Sequence, residues 1–383
     1  KGEYTVTESI AYGDHSSEMS KYRTEGEARA MALGNRGPIR WDQDGQLHPD
    51  IIQAYKATGF YVFTSVLGPA ELEDLERDLN NLLARAPKTK GSPVDVLNRP
   101  ALSSDCKASN LGWVAPLSDP VGGTKRSSGR HPVKMYEPSA PSDAPEAVLQ
   151  IVLGSLQFSD AHLRLYGHPA LLSVAASING KDFVPFNEAI WIKHPHLGGS
   201  VAWHQDGTTQ WDHPDFDEGT HGFNFMAQLY GCDATNGLWV VPGSHRSRAD
   251  IPRLYENAGS DRLADAVPLL CEPGDVAICN RQAVHGSFAN TSPNPRVTFN
   301  FGFHRRSSVL GVAGNGIHSA AAIYDEQRIN QRSKLIGYAI SARAERFPEE
   351  MPYHYEPLAN QSLLWNEEAR EDIADYNLLD LGI

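Results

Sequence analysis

The chain has 383 residues, 40% of them hydrophobic, enough to bury a sizeable core in one large domain or two ordinary ones. Against 47 Asp and Glu stand only 34 Lys and Arg, and the net charge of −13 repels phosphate backbones and anionic lipid, which sets aside nucleic acid and membrane as partners. No apolar run approaches a membrane-spanning length, and four cysteines without a CxxC pair point to a reducing, cytoplasmic setting in which Cys271 and Cys279 are small buried hydrophobes.

Residues 1–47 are polar and irregular, broken by Gly-Asp, Gly-Asn and Arg-Gly-Pro steps, and read as an extension that wraps or caps a main domain of residues 48–346. The chain does not begin with methionine, so a removed leader is left open. A short helix over residues 50–55 leads to a strand over 60–63. Pro69 then opens a strong helix with Leu72, Leu75, Leu79, Leu82 and Leu83 on one face and Glu71, Glu73, Asp74, Glu76 and Arg77 on the other. Residues 87–145 are proline-rich and without period, yet carry Lys125, Arg126, Arg130 and Lys134 in an acidic protein; a solvated loop and an anion-contacting lid are both compatible with that. Helical pattern is expected over 144–156 and again over 160–178, the latter bent at Gly167-His168-Pro169.

After Gly180 the pattern changes to strands: 189–193, 223–229, 238–241, 275–279 and 297–303. In the last, apolar side chains alternate with Thr298, Asn300 and Gly302, so one face packs and the other lines something polar. Many short strands following helices give an α+β class with a mainly β core, a double-sheet barrel over about 180–306 with flanking helices. Residues 319–346 read as a helix, and the acidic tail 347–383 as peripheral.

The chemistry centres on Trp203-His204-Gln205-Asp206-Gly207. On extended backbone His204 and Asp206 project to the same side and can converge on one ion. His-x-Asp occurs three times, but His48-Pro49-Asp50 and His213-Pro214-Asp215 place proline at the middle position, which suits a turn or helix start better than a ladder strand. Asp50 there reads as a helix cap. For a third ligand, His285 competes with His221, His245, His304 and His318; it alone follows a Pro273-Gly274-Asp275 turn and an apolar strand, with Gly286-Ser287 after it and Arg296 eleven positions on. Two histidines and a carboxylate suit iron and zinc alike. An arginine that can grip the far carboxylate of a metal-chelating keto acid favours iron, because zinc leaves Arg296 without a role.

These residues resemble the phytanoyl-CoA dioxygenase family of Fe(II)- and 2-oxoglutarate-dependent oxygenases. The matching pieces are Gly59-Phe60-Tyr61-Val62 with the helix after Pro69, Lys193 ahead of the His204 motif, Asn236 to His245, Gly274-Asp275-Val276, His285-Gly286-Ser287, Asn290 and Arg296. The resemblance implies a double-stranded β-helix (jelly-roll, cupin-like) barrel. It implies His204, Asp206 and His285 as iron ligands, Arg296 and Ser287 as 2-oxoglutarate contacts, and Lys134 and Trp191 as further cosubstrate contacts. His245 belongs to a structural turn. A carboxylate at position 206 fills the place that related halogenases open for chloride, which disfavours halogenation. Dioxygen and 2-oxoglutarate are thus the expected cosubstrates of an oxidation of a small molecule: hydroxylation by default, with desaturation, epoxidation or rearrangement as variants. Trp211, Gln210 and Arg130 are the expected substrate contacts. The rival readings are a zinc hydrolase on a cupin-like barrel and a non-catalytic binding or scaffold relative.

Overall fold

The computed structural model describes residues 12–206, 222–319 and 321–381. Two sheets face each other. The larger is built from β1 (Arg36–Gly37), β2 (Phe60–Phe63), β3 (Leu111–Val114), β4 (Val148–Leu153), β5 (Val184–Lys193), β7 (Gly222–Gln228), β10 (Val276–Asn280) and β12 (Arg296–His304), in the spatial order β1-β2-β10-β7-β12-β5-β4-β3. The smaller runs β6-β11-β8-β9, from β6 (Val201–His204), β11 (His285–Ser287), β8 (Trp239–Val240) and β9 (Val267–Pro268). Apart from the β1–β2 pair, which is parallel, the ladders of both sheets are antiparallel, and strands cross between sheets as a jelly roll requires.

The helices are α1 (Ser16–Ala32), α2 (Pro49–Thr58), α3 (Pro69–Arg85), α4 (Asp160–Tyr166), α5 (Pro169–Asn179), α6 (Ile251–Ala258), α7 (Arg306–Val309), α8 (Glu326–Arg346) and α9 (Glu367–Asp372). The outer face of the large sheet, with Phe223, Phe225, Phe299, Phe301 and Phe303, packs on α3, α4, α5 and α8 to form the main core. Proline at the first turn starts α2, α3 and α5, where its missing N–H costs nothing. No helix among the described residues is long and apolar enough to cross a membrane.

Five sequence expectations need correction. The described part of the extension, residues 12–47, packs on the small sheet through a regular helix, α1. Its buried positions, Met19, Tyr22, Gly26 and Ala30, follow helical spacing, while two of them are too small to register as hydrophobic period. Gly26 is required by contact: a Cβ there would stand 2.5 Å from the Trp239 ring, on which Tyr22 stacks at 4.6 Å. Second, the segment 144–156 holds strand β4, because its apolar run is buried on both faces and a short run of that kind carries no period to tell helix from strand. Third, Glu71 and Asp74 of α3 are buried, held by Arg343 and Arg346 of α8. Fourth, the tail is not peripheral: Tyr376, Asp380 and Leu381 are buried against the barrel. Fifth, the helix expected from 319 begins only at Glu326, capped by Asp325, whose side chain accepts from the Arg328 N–H.

Candidate metal centre

His204 closes β6 and His285 opens β11, and the register sets the two directly opposite each other across the small sheet. Asp206, two residues on, is fixed by its N–H, which donates to the Arg281 carbonyl at 2.9 Å. Between them Gln205 points the other way. Its Nε2 donates to the carbonyls of Ser244, Ser247 and Gln282, and its Oε1 accepts from Ala249 N–H. Gln205 therefore anchors the segment from behind and keeps the His204 and Asp206 side chains on the inner face.

One ligand atom from each of His204, Asp206 and His285, a ring nitrogen or a carboxylate oxygen, lies within 4.8 Å of the others, and all three residues are buried. Each histidine donates Nδ1–H to a backbone carbonyl, His204 to Ala202 at 2.8 Å and His285 to Ala283 at 2.9 Å, which leaves the Nε2 lone pair facing the carboxylate. Nε2 of His204 is 3.6 Å from Asp206 Oδ1, and Nε2 of His285 is 3.8 Å from Oδ2. Burial holds the His204 pKa well below the ordinary imidazole value, so the ring is neutral and ready to donate to an ion. Burial alone would raise Asp206, but the charges of Arg130 first, and then of its histidine and arginine neighbours, bring its pKa below the usual carboxylate value. These donors fit the facial triad of a mononuclear iron site.

The triad opens onto a cavity of about 690 Å³ between the sheets. Arg296 and Ser287 line it, as does Trp191, whose backbone is in register with Thr298. Among the described residues neither Arg296 Nε nor Ser287 Oγ has a hydrogen-bond partner, and no carboxylate pairs with Arg296 although it is only 5% exposed. A buried guanidinium without an anion is the feature a dicarboxylate cosubstrate satisfies. Arg130 also lines the cavity, with Nε 3.4 Å from Asp206 Oδ1. Lys134 is not among the lining residues; it pairs with Glu137 at 3.1 Å on a half-exposed side chain, which the lysine's reach from the loop allows at little cost. Trp211, Gln210 and Gly207 lie outside the described residues, as does the His213-Pro214-Asp215 triplet. His48 accepts from Asp50 N–H and caps α2, so it is the histidine that does the capping there. His245 is buried, with Nε2 3.0 Å from the Lys56 carbonyl.

Several lining residues escaped sequence reasoning. His131 stacks on His204 with ring centroids 3.9 Å apart, and burial, then the charge of Arg130, lowers its pKa to about 4. Asp119 and Val121 come from the same loop, so part of 87–145 is a cavity wall. Asn377 and Asp380 come from the tail. Asn187 sits at φ 47° beside the irregularity where β5 and β12 lose register between Phe301 and Gly302, a bulge that aims it and Glu188 at the cavity. Arg281 stood in the sequence as a charged residue inside an otherwise buried run, the one signal that marked it.

The jelly roll, the facial triad and the unpaired arginine together define a non-haem iron oxygenase class of barrel. The phytanoyl-CoA dioxygenase (PhyH) family model matches residues 55–298, and the chain belongs to that family. Phytanoyl-CoA dioxygenase 1 of Oryza sativa subsp. japonica is 32% identical over 114 residues, which are 27% of this chain and 39% of that relative's length. Among solved structures, AviO1 from Streptomyces viridochromogenes Tue57 is similar at 21% identity, covering 66% of this chain and 92% of its own, with a TM-score of 0.45. EctD from S. alaskensis with 2-oxoglutarate and 5-hydroxyectoine is similar at 20% identity over 71% of this chain and 81% of its own, with a TM-score of 0.49.

Proposed function

We propose that the protein is an Fe(II)- and 2-oxoglutarate-dependent dioxygenase that oxidises a small molecule, with hydroxylation as the default outcome. The observation that carries this reading is the coexistence, in one cavity, of the His204/Asp206/His285 triad and the unpaired, buried Arg296.

In this reading His204, Asp206 and His285 hold the iron. Arg296 grips the far carboxylate of 2-oxoglutarate through two parallel hydrogen bonds, and Ser287 donates its free hydroxyl to the same group. When bound, iron supplies the coupling of dioxygen reduction to decarboxylation of the keto acid, giving succinate, carbon dioxide and one oxygen atom for the substrate. The protein supplies position and dryness. Backbone carbonyls of Ala202 and Ala283 fix both imidazole tautomers, and Arg130 and His131 pack over the triad from the loop side. The walls from 119–131 and 377–380 keep bulk water from the reacting carbon.

The test is anaerobic titration of the purified protein with Fe(II) and 2-oxoglutarate. An iron-to-keto-acid charge-transfer band supports the reading; its absence in intact protein that retains zinc tightly overturns it in favour of a zinc hydrolase. In Asp206→Ala, succinate formation is expected to vanish while the circular dichroism spectrum and thermal midpoint are kept. Undiminished succinate formation would place the metal elsewhere.

A further inference from the structure

Resting on the iron and 2-oxoglutarate reading, the cavity has one end that this chemistry does not use. Arg281 lines it, only 4% exposed, and among the described residues no carboxylate forms an ion pair with it, Asp206 acting on it only through its charge. Its Nη1 donates to Asn224 Oδ1 at 3.0 Å, its guanidinium lies over the Phe186 ring at 4.7 Å, and its Nε has no hydrogen-bond partner. The site is built around this side chain. A Cβ on Gly302 would come within 2.5 Å of Asn224 Oδ1, so only glycine there lets Asn224 hold the guanidinium. Asn300, two residues earlier on the same face of β12, also lines the cavity with Oδ1 unpartnered.

Arg281 cannot share the anion of Arg296. The ladder pairs Asn280 with Phe223 and Phe223 with Phe303, so Arg281 lies just past the Phe303 row, while Arg296 begins the same strand seven residues away. At ~3.3 Å per residue the two rows are roughly 23 Å apart, and it is the Arg281 carbonyl that accepts from Asp206 N–H. A short dicarboxylate held at Arg296 leaves Arg281 without an anion.

Charge gives the same result. A divalent ion with Asp206, and the 2-oxoglutarate dianion with Arg296, cancel. Glu188 and Asp380 are cancelled by Arg332 and Arg328, which pair with them at 2.7–2.9 Å. His131 is neutral. Asp119 is satisfied by the N–H groups of Val121 and Ala202. Among the described lining residues, Arg130 and Arg281 stand against that one carboxylate, leaving one positive charge.

We infer that the primary substrate carries an oxyanion, a carboxylate or a phosphate monoester, that docks on Arg281 between Asn224 and Asn300 at the end of the cavity away from Arg296.

The test uses the full chain with 2-oxoglutarate saturating, so that Arg296 is occupied, and calorimetric titration with octanoate, octyl phosphate and the neutral octanamide. The native protein is expected to prefer one or both anions to the amide by about 10- to 100-fold, the worth of a charge-assisted hydrogen bond. Arg281→Gln should erase that preference, and Arg281→Lys, which keeps the charge without the fork, should retain part of it. The phosphate and carboxylate arms separate the two sources. Equal binding of amide and anions, no measurable binding of either anion, or a preference that survives in Arg281→Gln overturns the inference. So does a variant in which only metal affinity changes, because Arg281 would then serve Asp206 alone. An anion preference without any charge-transfer band would instead retain this site and remove the iron reading.

Discussion

Two sets of arginines are buried in this molecule, and they are buried on opposite terms. On α8, Arg332 pairs with Glu188 at 2.8 Å and Asp380 at 2.9 Å, Arg328 with Asp380 at 2.7 Å, and Arg343 with Glu71 at 2.6 Å and Glu350 at 2.5 Å. In the barrel, Arg281 and Arg296 are equally withdrawn from water and form no ion pair with a carboxylate among the described residues. Burial lowers the pKa of both barrel arginines to about 10, whereas at Arg332 the burial penalty is outweighed by Asp380 and Glu188 and the pKa is raised. A buried charge already matched by the protein is structure; one left for a ligand to match is a binding site.

The largest effect is expected where the match is complete. Arg332→Met strands Glu188 without its cation, leaves Asp380 with Arg328 alone, and should cost about 3–5 kcal/mol in urea unfolding. A loss below about 1 kcal/mol would break the comparison by showing that these pairs contribute little to the fold.

A third way to bury a basic group is to leave it neutral, as at His131, His162 and His168. Burial depresses their pKa values to about 4, about 3 and about 3. An unfolded histidine titrates near 6.5, so the unfolded chain takes up protons that the folded one refuses. Stability is fully present above ~6.5 and is lost as pH falls toward the folded values. Together the three should remove on the order of 3 kcal/mol between pH 6.5 and 5.5. Urea midpoints that do not move over that interval would contradict their burial as neutral groups.

Arg296→Leu should behave in the reverse manner to Arg332→Met. It should weaken 2-oxoglutarate binding by ~2–3 kcal/mol, about 30- to 150-fold by calorimetry, with unfolding stability unchanged or improved. Equal losses in both measurements would place Arg296 with the structural set. The smallest effect is expected at the surface. Arg370 pairs with Asp160 at 2.7 Å, but both are well exposed, and Arg370→Ala should cost under about 1 kcal/mol.

The same contrast separates what sequence reading could and could not reach. The triad was legible because alternation on extended backbone fixes which side chains converge, and Arg296 because its spacing from His285 places it at the start of the next strand in the chain, β12 of the facing sheet. Thr298 and Asn300 showed as the polar half of a period-two pattern, and both line the cavity. Arg281, Asn187 and Asp380 did not show, since each reaches the cavity through a feature without sequence period: a turn past the end of β10, a bulge in β5, and a tail folding back over the barrel. Strand β4 was misread because packing on both faces removes the alternation that marks a strand. Glu71 and Asp74 were placed on the solvent face because their arginine partners lie more than 250 residues away.

The tail's return has a consequence for how the protein is made. Asn377 and Asp380 complete a wall whose other parts, from Asp119 to Asn300, leave the ribosome much earlier. Until Asp380 arrives, Arg328 and Arg332 lack a shared anion and the barrel mouth lacks one side. A nascent chain can therefore assemble both sheets and its metal ligands while its chamber still lacks one wall, and the chamber is completed only once residues 377–380 have emerged.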